Sequence, residues 1–279
     1  MYIIGASSDQ VHQYTLSTAW DISTASFLQS FVTSASGPAG LWFKTDGTYL
    51  YFIDSVSDKV LGYSLPTAWD ISTAVFVPPT TNYFSVRTQE TTPQALFIKP
   101  DGTKMYVVGT VTDTVYEYNI GTDWDISTAS YLQGFSISSQ EAAPNGLTFK
   151  PDGTKMYNIG QNGDDVNEFD LSTAWDITSV SYLQSFSVAT QETTPSDLFF
   201  KPDGTKMYAC GTFGNAVVEY DLSTAWDIST SVYLQSFSVI GQESNIHGIF
   251  FDPDGIKMFI IGTTGDDINE YTLGTAWDI

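Results

Sequence analysis

Apolar and polar residues alternate along the chain in short runs, and turn-forming residues separate these runs. One such turn is Pro151-Asp152-Gly153, where proline presets one backbone angle and Asp-Gly accepts the positive φ of a tight reversal. The apolar runs at 146–149 and 156–159 flank it on either side. Alternating runs around Asp-Gly predict a β-hairpin at this point.

Two further runs complete the same stretch of sequence. The pattern predicts four antiparallel strands at 146–150, 155–160, 166–171 and 181–188, and none of them has helical periodicity. Turns or polar linkers separate all four strands. The linker at 77–82 carries two prolines, which predicts a bulge in the outer strand of its own unit.

The same unit recurs along the chain. The turn aspartate recurs at Asp46, Asp101, Asp152, Asp203 and Asp254. A Trp-Asp-Ile motif begins at Trp20, Trp69, Trp124, Trp175, Trp226 and Trp277. In the later repeats both motifs are spaced 51 residues apart. Four short antiparallel strands in a repeat of about this length are typical of a β-propeller blade. We therefore predict an all-β propeller of four-stranded antiparallel blades.

The number of blades follows from counting strand candidates. The second and third strands of the unit each have six candidates, whereas the first and fourth have five, which favours six blades with an incomplete end. A five-bladed ring is the alternative. We expect one propeller domain over residues 1–279. Residues 1–5 match 258–262, inside a unit, so the sequence is also interpreted as a fragment of a longer protein.

Composition narrows the set of partners. Apolar residues make up 42% of the chain, which is ample for a core, and the formal net charge is −22. Such a charge repels phosphate backbones, so we expect no nucleic-acid partner. No apolar run is long enough to span a bilayer, so we expect no membrane insertion. The lone Cys210 lies in a strand-like run and is expected to be a small buried hydrophobe.

The sequence resembles the YVTN-type propeller repeat. Residues 99–109 read Lys-Pro-Asp-Gly-Thr-Lys-Met-Tyr-Val-Val-Gly, and 115–118 continue as Val-Tyr-Glu-Tyr. This resemblance covers every unit and implies a propeller fold. Related propellers include surface-layer proteins, adhesin-like secreted proteins and sugar-lactone hydrolases.

The expected function is a non-enzymatic binding module, an adhesin or receptor-binding propeller. We expect it on the cell exterior or the virion surface, with a glycan, a surface polymer or a protein as partner and an unassigned oligomeric state. Neither of its two histidines has a nucleophile or a metal-ligating residue nearby in sequence, and no phosphate loop, paired-cysteine site or nucleophile elbow occurs. The alternatives are a structural coat or display repeat and a lactonase-like metal-dependent hydrolase.

Two repeated motifs are expected to have a structural role. Each Trp of Trp-Asp-Ile is expected to fill the gap between blades while the Asp caps the following turn, with sugar stacking as the alternative. Gln-Glu pairs recur in the linkers between units, at 89–90, 140–141, 191–192 and 242–243. They are expected to hold the crossover by hydrogen bonds, and a cation-binding ring of carboxylates is the alternative.

Variation at a repeated position marks the candidate ligand site. Seven residues before each turn aspartate, at the start of the first strand, the units carry Ala39, Gln94, Asn145, Ser196 and His247. Asp197 adds a carboxylate where the other units carry only Gly or Ala. First strands are expected to be innermost, so we predict that Gln94, Asn145, Ser196, Asp197 and His247 bind a ligand. Sequence drift at a wet channel mouth is the alternative.

Carboxylates also cluster in the turns between second and third strands. Two turns carry aspartate pairs, Asp164-Asp165 and Asp266-Asp267. Such oxygens are suitable calcium ligands, although Asp is also an ordinary turn residue. We expect no cofactor, with calcium at these four residues as the alternative. The resemblance to sugar-lactone hydrolases implies a site with Glu, Asn and Asp around a channel metal; Glu90, Asn145 and Asp197 are one such combination, although nothing in the spacing selects them.

Overall fold

The computed structural model describes residues 1–5, 9–76, 83–265 and 267–279. Its fold is an all-β propeller, and the described residues form six antiparallel blades. The six-blade prediction is confirmed, and the five-blade alternative is wrong. The chain divides into two compact units, Met1–Ser136 and Ile137–Ile279, called unit 1 and unit 2. Each contains three blades and is thus larger than the repeat unit of the sequence. The assignment of residues 1–279 to one domain stays a prediction.

Unit 1 contains the first three blades, and each is built from strands in chain order. Blade 1 has three strands, and the fourth position of blade 2 is shared by β7 and β8, which both pair with β6. The predicted proline bulge at 77–82 lies outside the described residues. The strands are β1 (Tyr2–Gly5), β2 (Gln10–Leu16), β3 (Ala25–Val32), β4 (Pro38–Phe43), β5 (Tyr49–Asp54), β6 (Lys59–Ser64), β7 (Val75–Phe76), β8 (Tyr83–Ser85), β9 (Pro93–Ile98), β10 (Lys104–Gly109), β11 (Thr114–Ile120) and β12 (Ala129–Ser136).

Unit 2 contains blades 4, 5 and 6, and the last has three strands. First strands of neighbouring blades lie side by side here, as expected for inner strands. The strands are β13 (Pro144–Phe149), β14 (Lys155–Gly160), β15 (Asp165–Leu171), β16 (Val180–Ser187), β17 (Pro195–Phe200), β18 (Lys206–Gly211), β19 (Ala216–Leu222), β20 (Ser231–Ser238), β21 (Ile246–Phe251), β22 (Lys257–Gly262) and β23 (Ile268–Thr272).

The described helices are single 3₁₀ turns after the Trp-Asp motifs, which agrees with the absence of helical periodicity in the sequence. In each, the Asp side chain accepts a hydrogen bond from the backbone N–H two residues later, as Asp176 does from Thr178 at 2.9 Å. The expected capping role of this Asp is therefore confirmed. The turns are Ile22–Thr24, Ile71–Thr73, Ile126–Thr128, Ile177–Ser179 and Ile228–Thr230.

The Asp-Gly turn and the Trp-Asp-Ile motif meet within each of blades 2 to 6. Gly204 of the Pro-Asp-Gly turn has φ +75°, and the ring of Trp226 occupies the space that a Cβ would need. The backbone N–H of Trp226 also donates to the Gly204 carbonyl at 2.9 Å. Only glycine allows both the left-handed backbone and this close approach. The Trp-Asp-Ile motif thus packs against the hairpin turn of its own blade.

Tyrosine hydrogen bonds join neighbouring blades. The hydroxyl of Tyr157 in blade 4 donates to the Trp226 carbonyl in blade 5 at 2.6 Å, and Tyr208 donates to Trp277 at 2.7 Å. Buried apolar side chains pack around these contacts, including Met207 and Ile228. The expectation that every Trp is buried is wrong for Trp20 and Trp69, which are 41% and 42% exposed.

None of the described helices has the length and apolar character needed to cross a membrane.

Candidate functional site

The varying positions of the first strands lie at β-bulges. In unit 2 the register shifts between Pro144 and Gly146, between Pro195 and Asp197, and between Ile246 and Gly248. The residues left outside regular pairing are therefore Asn145, Ser196 and His247. Bulges re-aim side chains and are common next to active sites. They also explain why β13 begins before its predicted start, because Pro144 still pairs with Gly160 beyond the bulge.

The Gln-Glu crossovers hold these strand starts in place. Glu192 is fully buried, and its carboxylate accepts hydrogen bonds from the backbone N–H groups of Thr194 at 2.8 Å and Gly214 at 2.8 Å. A Cβ at Gly211 would come within 2.6 Å of the Glu192 carboxyl carbon, so glycine makes room for it. The structural interpretation of the Gln-Glu pairs is confirmed: Glu90, Glu141, Glu192 and Glu243 bind backbone N–H groups in the same way.

Blade 2 reaches the same result with a different residue. Its crossover lacks a Gln-Glu pair, and Asp54 stands where later blades have glycine at the end of the second strand. The Asp54 carboxylate accepts from the N–H groups of Ser36 and Gly37, both at 3.0 Å. Sequence reasoning missed this exchange, although a carboxylate lost from one position and gained at another was visible in the repeat.

Asp197 is the central residue of the candidate site. It lies on β17, and its two carboxylate oxygens accept hydrogen bonds from the N–H groups of Leu198 at 2.8 Å and Ile249 at 3.1 Å. The Ile249 bond reaches from blade 5 to blade 6. Ideal Cβ positions on Gly146 and Gly248 both lie 3.8 Å from this carboxylate, so glycines of the two neighbouring blades flank it.

The electrostatic environment of Asp197 favours its protonated form. Desolvation raises the pKa of Asp197 to about 6, although the two backbone hydrogen bonds oppose this shift. A carboxyl group that titrates in this range can exchange protons near neutral pH. Strongly perturbed acids of this kind are enriched at functional sites.

Ser196 and Cys210 lie behind Asp197 and face the interior. The Ser196 hydroxyl donates to the Ile246 carbonyl at 2.8 Å and lies 3.9 Å from the Cys210 sulfur. Burial and the nearby Asp197 raise the pKa of the Cys210 thiol well above its usual range. Cys210 is therefore the small buried hydrophobe that the sequence predicts, and Ser196 serves chiefly to join β17 to β21.

Asn145 and His247 lie at the corresponding bulges of the neighbouring blades. The Asn145 amide donates to the Pro195 carbonyl at 3.2 Å, which ties β13 to the start of β17. The His247 side chain is exposed. Unit 2 thus brings together Asn145, Ser196, Asp197 and His247 of the predicted ligand set. Gln94 occupies the equivalent exposed bulge in unit 1.

Aromatic rings follow Asp197 along the inner strands. Phe199 lies two residues after Asp197 and therefore on the same face of β17, and Phe250 stands in the same relation to Gly248. The two rings are 6.1 Å apart in an edge-to-face arrangement, and Phe250 is 51% exposed. Sequence reasoning missed these rings, although the alternation along the first strands could have revealed them.

The Asp164-Asp165 pair lies at the turn that leads into β15. Asp164 has φ 50°, a conformation that Asp tolerates in a turn, and burial with the charge of Asp165 raises its pKa. Asp267 is exposed, and Asp266 lies outside the described residues. Across the described ranges no three His, Cys, Asp or Glu side chains converge for a metal ion. Calcium binding stays a hypothesis.

The hydrolase combination consists of Glu90, Asn145 and Asp197. Asn145 and Asp197 lie on neighbouring first strands of unit 2. Glu90 lies in unit 1, where its carboxylate accepts the N–H of Thr92 at 2.8 Å. A separate cavity of about 340 Å³ in blade 5 is lined by other residues, including Lys206 and Asp221 at the opposite strand ends.

Comparison with known proteins identifies the family. A model of the family described as "Lactonase, 7-bladed beta-propeller" matches residues 3–172, which is more than half of the 279 residues. The chain belongs to this lactonase family. The assignment to the YVTN-type repeat is therefore wrong, because the Pro-Asp-Gly turn and its flanking strands that carried it indicate a β-hairpin and not a particular family. No curated protein sequence matches the chain.

Solved propellers share the fold. A candidate 6-phosphogluconolactonase from Bacteroides uniformis is 16% identical with TM-score 0.67, over 97% of this chain and 76% of that one. Another from Bacteroides fragilis is 16% identical with TM-score 0.64, over 97% and 79%. A functionally unknown protein from Desulfotomaculum acetoxidans is 12% identical with TM-score 0.64, over 98% and 92%. At such identities the likeness shows the fold alone.

Family membership corrects two expectations about function. The non-enzymatic adhesin or receptor-binding module is wrong, and so is the expectation that the chain is not an enzyme. Both rested on the lack of a known catalytic motif. A general base on a propeller strand has no local sequence signature, so that lack carried little weight. The virion or extracellular location and the surface-polymer partner stay predictions.

Proposed function

We propose that the chain is a lactonase-like hydrolase, in which Asp197 is the general base. The family match supports the reaction class. The main support for the site is the Asp197 carboxylate on β17, which accepts a hydrogen bond from Ile249 of the next blade and is flanked by two glycines. A Cβ at Gly146 would come within 2.8 Å of an Ile159 methyl group, and one at Gly248 within 3.1 Å of an Ile261 methyl group, so the glycines let the inner strands pack closely around the carboxylate.

The proposed reaction needs one proton acceptor and one attacking water. Ionised Asp197 takes a proton from water as the oxygen attacks the lactone carbonyl. The acyl–oxygen bond of the ring then breaks, and the proton passes to the departing ring oxygen as it becomes a hydroxyl. The product is an open-chain hydroxy acid, and Asp197 returns to its ionised form. A base with a pKa near the working pH suits this transfer.

The surrounding residues orient the ring in this proposal. The edge-to-face pair Phe199 and Phe250 offers an apolar surface to the C–H face of a sugar lactone. The exposed His247 and the Asn145 amide supply hydrogen-bonding groups on either side of Asp197. Ser196 is a positioning residue, because its hydroxyl is already bonded to the Ile246 carbonyl.

The test is hydrolysis of sugar lactones, followed by acid release with the spontaneous rate subtracted. The names of the two Bacteroides proteins make 6-phosphogluconolactone one substrate to assay, beside unphosphorylated gluconolactone. Asp197→Ala should reduce kcat by at least about 100-fold, the usual contribution of a general base. Blade 3 carries Ala95 at the equivalent position, so the variant matches a residue that the scaffold already accepts.

Asp123→Ala is the matched control. Asp123 is exposed in the blade 3 linker, where the other blades carry alanine, for example Ala174. This variant removes the same charge from a different place and should keep wild-type activity. Equal activity of wild type, Asp197→Ala and Asp123→Ala would remove Asp197 from the reaction. Absence of wild-type hydrolysis on every lactone would overturn the proposed function.

A further inference from the structure

The basic residues of unit 2 are confined to one end of its blades. Lys150 and Lys201 follow the ends of β13 and β17, and each pairs with the aspartate of the adjoining turn at 2.8 Å. The remaining lysines open the second strands at that same end and pair with third-strand glutamates. They are Lys155 with Glu168, Lys206 with Glu219 and Lys257 with Glu270.

The candidate site lies at the other end of the strands. Asp197 is near the start of β17, whereas Lys201 comes after its end, so about 13 Å of extended chain separates them. The side chains that accompany Asp197 at its end are acidic or neutral. The acidic ones include Glu141, Glu192 and Glu243 of the crossovers and Asp164, Asp165 and Asp267 of the turns.

Backbone donors at this end are also occupied. Turns with several converging N–H groups form concave sites that bind phosphate in other proteins. In blade 5 the corresponding N–H groups, those of Phe213 at 3.1 Å and Gly214 at 2.8 Å, already donate to Glu192. In blade 6 the N–H groups of Thr264 at 3.1 Å and Gly265 at 3.2 Å donate to Glu243. A phosphate group would therefore have to displace a buried carboxylate.

We infer that the substrate of this site is an uncharged lactone and that phosphorylated lactones are excluded. This inference rests on the proposed function. A phosphate ester would approach the Asp197 carboxylate at a strand end that also holds the buried crossover glutamates and has no lysine or arginine of unit 2. Phosphate recognition ordinarily relies on such cations or on free backbone N–H groups. The exposed Phe250 ring instead suits the neutral C–H face of an unsubstituted sugar ring.

The test compares gluconolactone with 6-phosphogluconolactone on the wild-type chain. We expect kcat/KM for the uncharged lactone to be at least about tenfold higher, as expected where the field repels an anionic substrate. Raising the salt from about 0.01 M to about 1 M should increase hydrolysis of the phosphorylated lactone and leave the uncharged one unchanged, because salt screens the repulsion.

A charge substitution provides the internal control. His247→Arg places a permanent cation at the exposed bulge next to Gly248, and His247→Gln changes the same position without charge. The arginine variant should move the ratio of the two kcat/KM values toward the phosphorylated lactone, and the glutamine variant should not. Preference of the wild type for the phosphorylated lactone would overturn this inference and leave lactone hydrolysis standing. Hydrolysis of neither lactone would overturn both.

Discussion

The carboxylate of Asp197 accepts a hydrogen bond from the backbone N–H of Ile249 at 3.1 Å, which links blade 5 to blade 6. The equivalent position in other blades is glycine or alanine, so this bond has no counterpart in the repeat. A carboxylate placed there is desolvated by its neighbours, and its proton affinity rises. The same contact therefore gives blade 5 a structural link and a titrating group.

Ionisation of Asp197 should cost folding stability. Its pKa rises from 3.8 in the unfolded chain to about 6 in the fold, so the folded protein binds the proton more tightly. The associated stabilisation is complete below pH 3.8 and is lost as the pH rises through about 6. The free energy of unfolding of wild type minus that of Asp197→Ala should therefore fall between these pH values.

Denaturant titrations at several pH values measure this difference. The comparison isolates Asp197 from Cys210, whose buried thiol stays protonated in this range, and from His247 and Glu192, which both proteins retain. A difference that rises with pH, or does not change, would show that the Asp197 carboxyl is not desolvated.

The contact between glycine and tryptophan in the hairpin turn should tolerate no side chain. Gly204→Ala adds a methyl group where the Trp226 ring lies and also strains a residue with φ +75°. We expect a loss of at least about 2 kcal/mol in the free energy of unfolding. Gly241→Ala is the control, because no atom lies within 4 Å of its added methyl group, and it should change stability by less than about 0.5 kcal/mol.

The buried crossover carboxylate should matter more than an exposed one in the same blade. Glu192→Gln replaces one acceptor oxygen by an NH₂ group facing backbone N–H donors, and the variant should lose about 2–3 kcal/mol of stability. Asp221→Asn makes the same chemical change in an ion pair with Lys206, where Asp221 is 51% exposed. That control should cost less than about 1 kcal/mol. Equal losses in thermal or denaturant unfolding would contradict the role given to Glu192.

Most of the fold could be predicted from the sequence because it depends on local turn residues, on apolar alternation and on the repeat period. The Pro-Asp-Gly turn and the alternation around it determine the hairpin of β13 and β14, and the period determines the blade. The Trp contact with Gly153 could not be predicted, since it joins residues that only the folded blade brings together. The exchange of a Gln-Glu pair for Asp54 escaped notice for the same reason.

The ligand-binding role of the residues at the starts of the first strands stays a prediction. Variation along the first strands selected Asn145, Ser196 and His247, and the bulges explain why those positions differ from their neighbours. Desolvation depends on the folded environment, so the unusual proton affinity of Asp197 became evident only from the packing of three inner strands. Enzymatic function was therefore set aside at the sequence level, and the family match reverses that conclusion.

The most direct test of the proposed function is the pH dependence of lactone hydrolysis. For wild type, kcat/KM on gluconolactone, corrected for spontaneous opening, should rise with pH and level off above about 6, as Asp197 ionises. His247→Gln should keep this profile, which separates Asp197 from the nearby exposed histidine. Asp197→Ala should abolish the rise together with the activity. A wild-type profile that is flat between pH 4 and pH 8, or one that survives in Asp197→Ala, would contradict Asp197 as the general base.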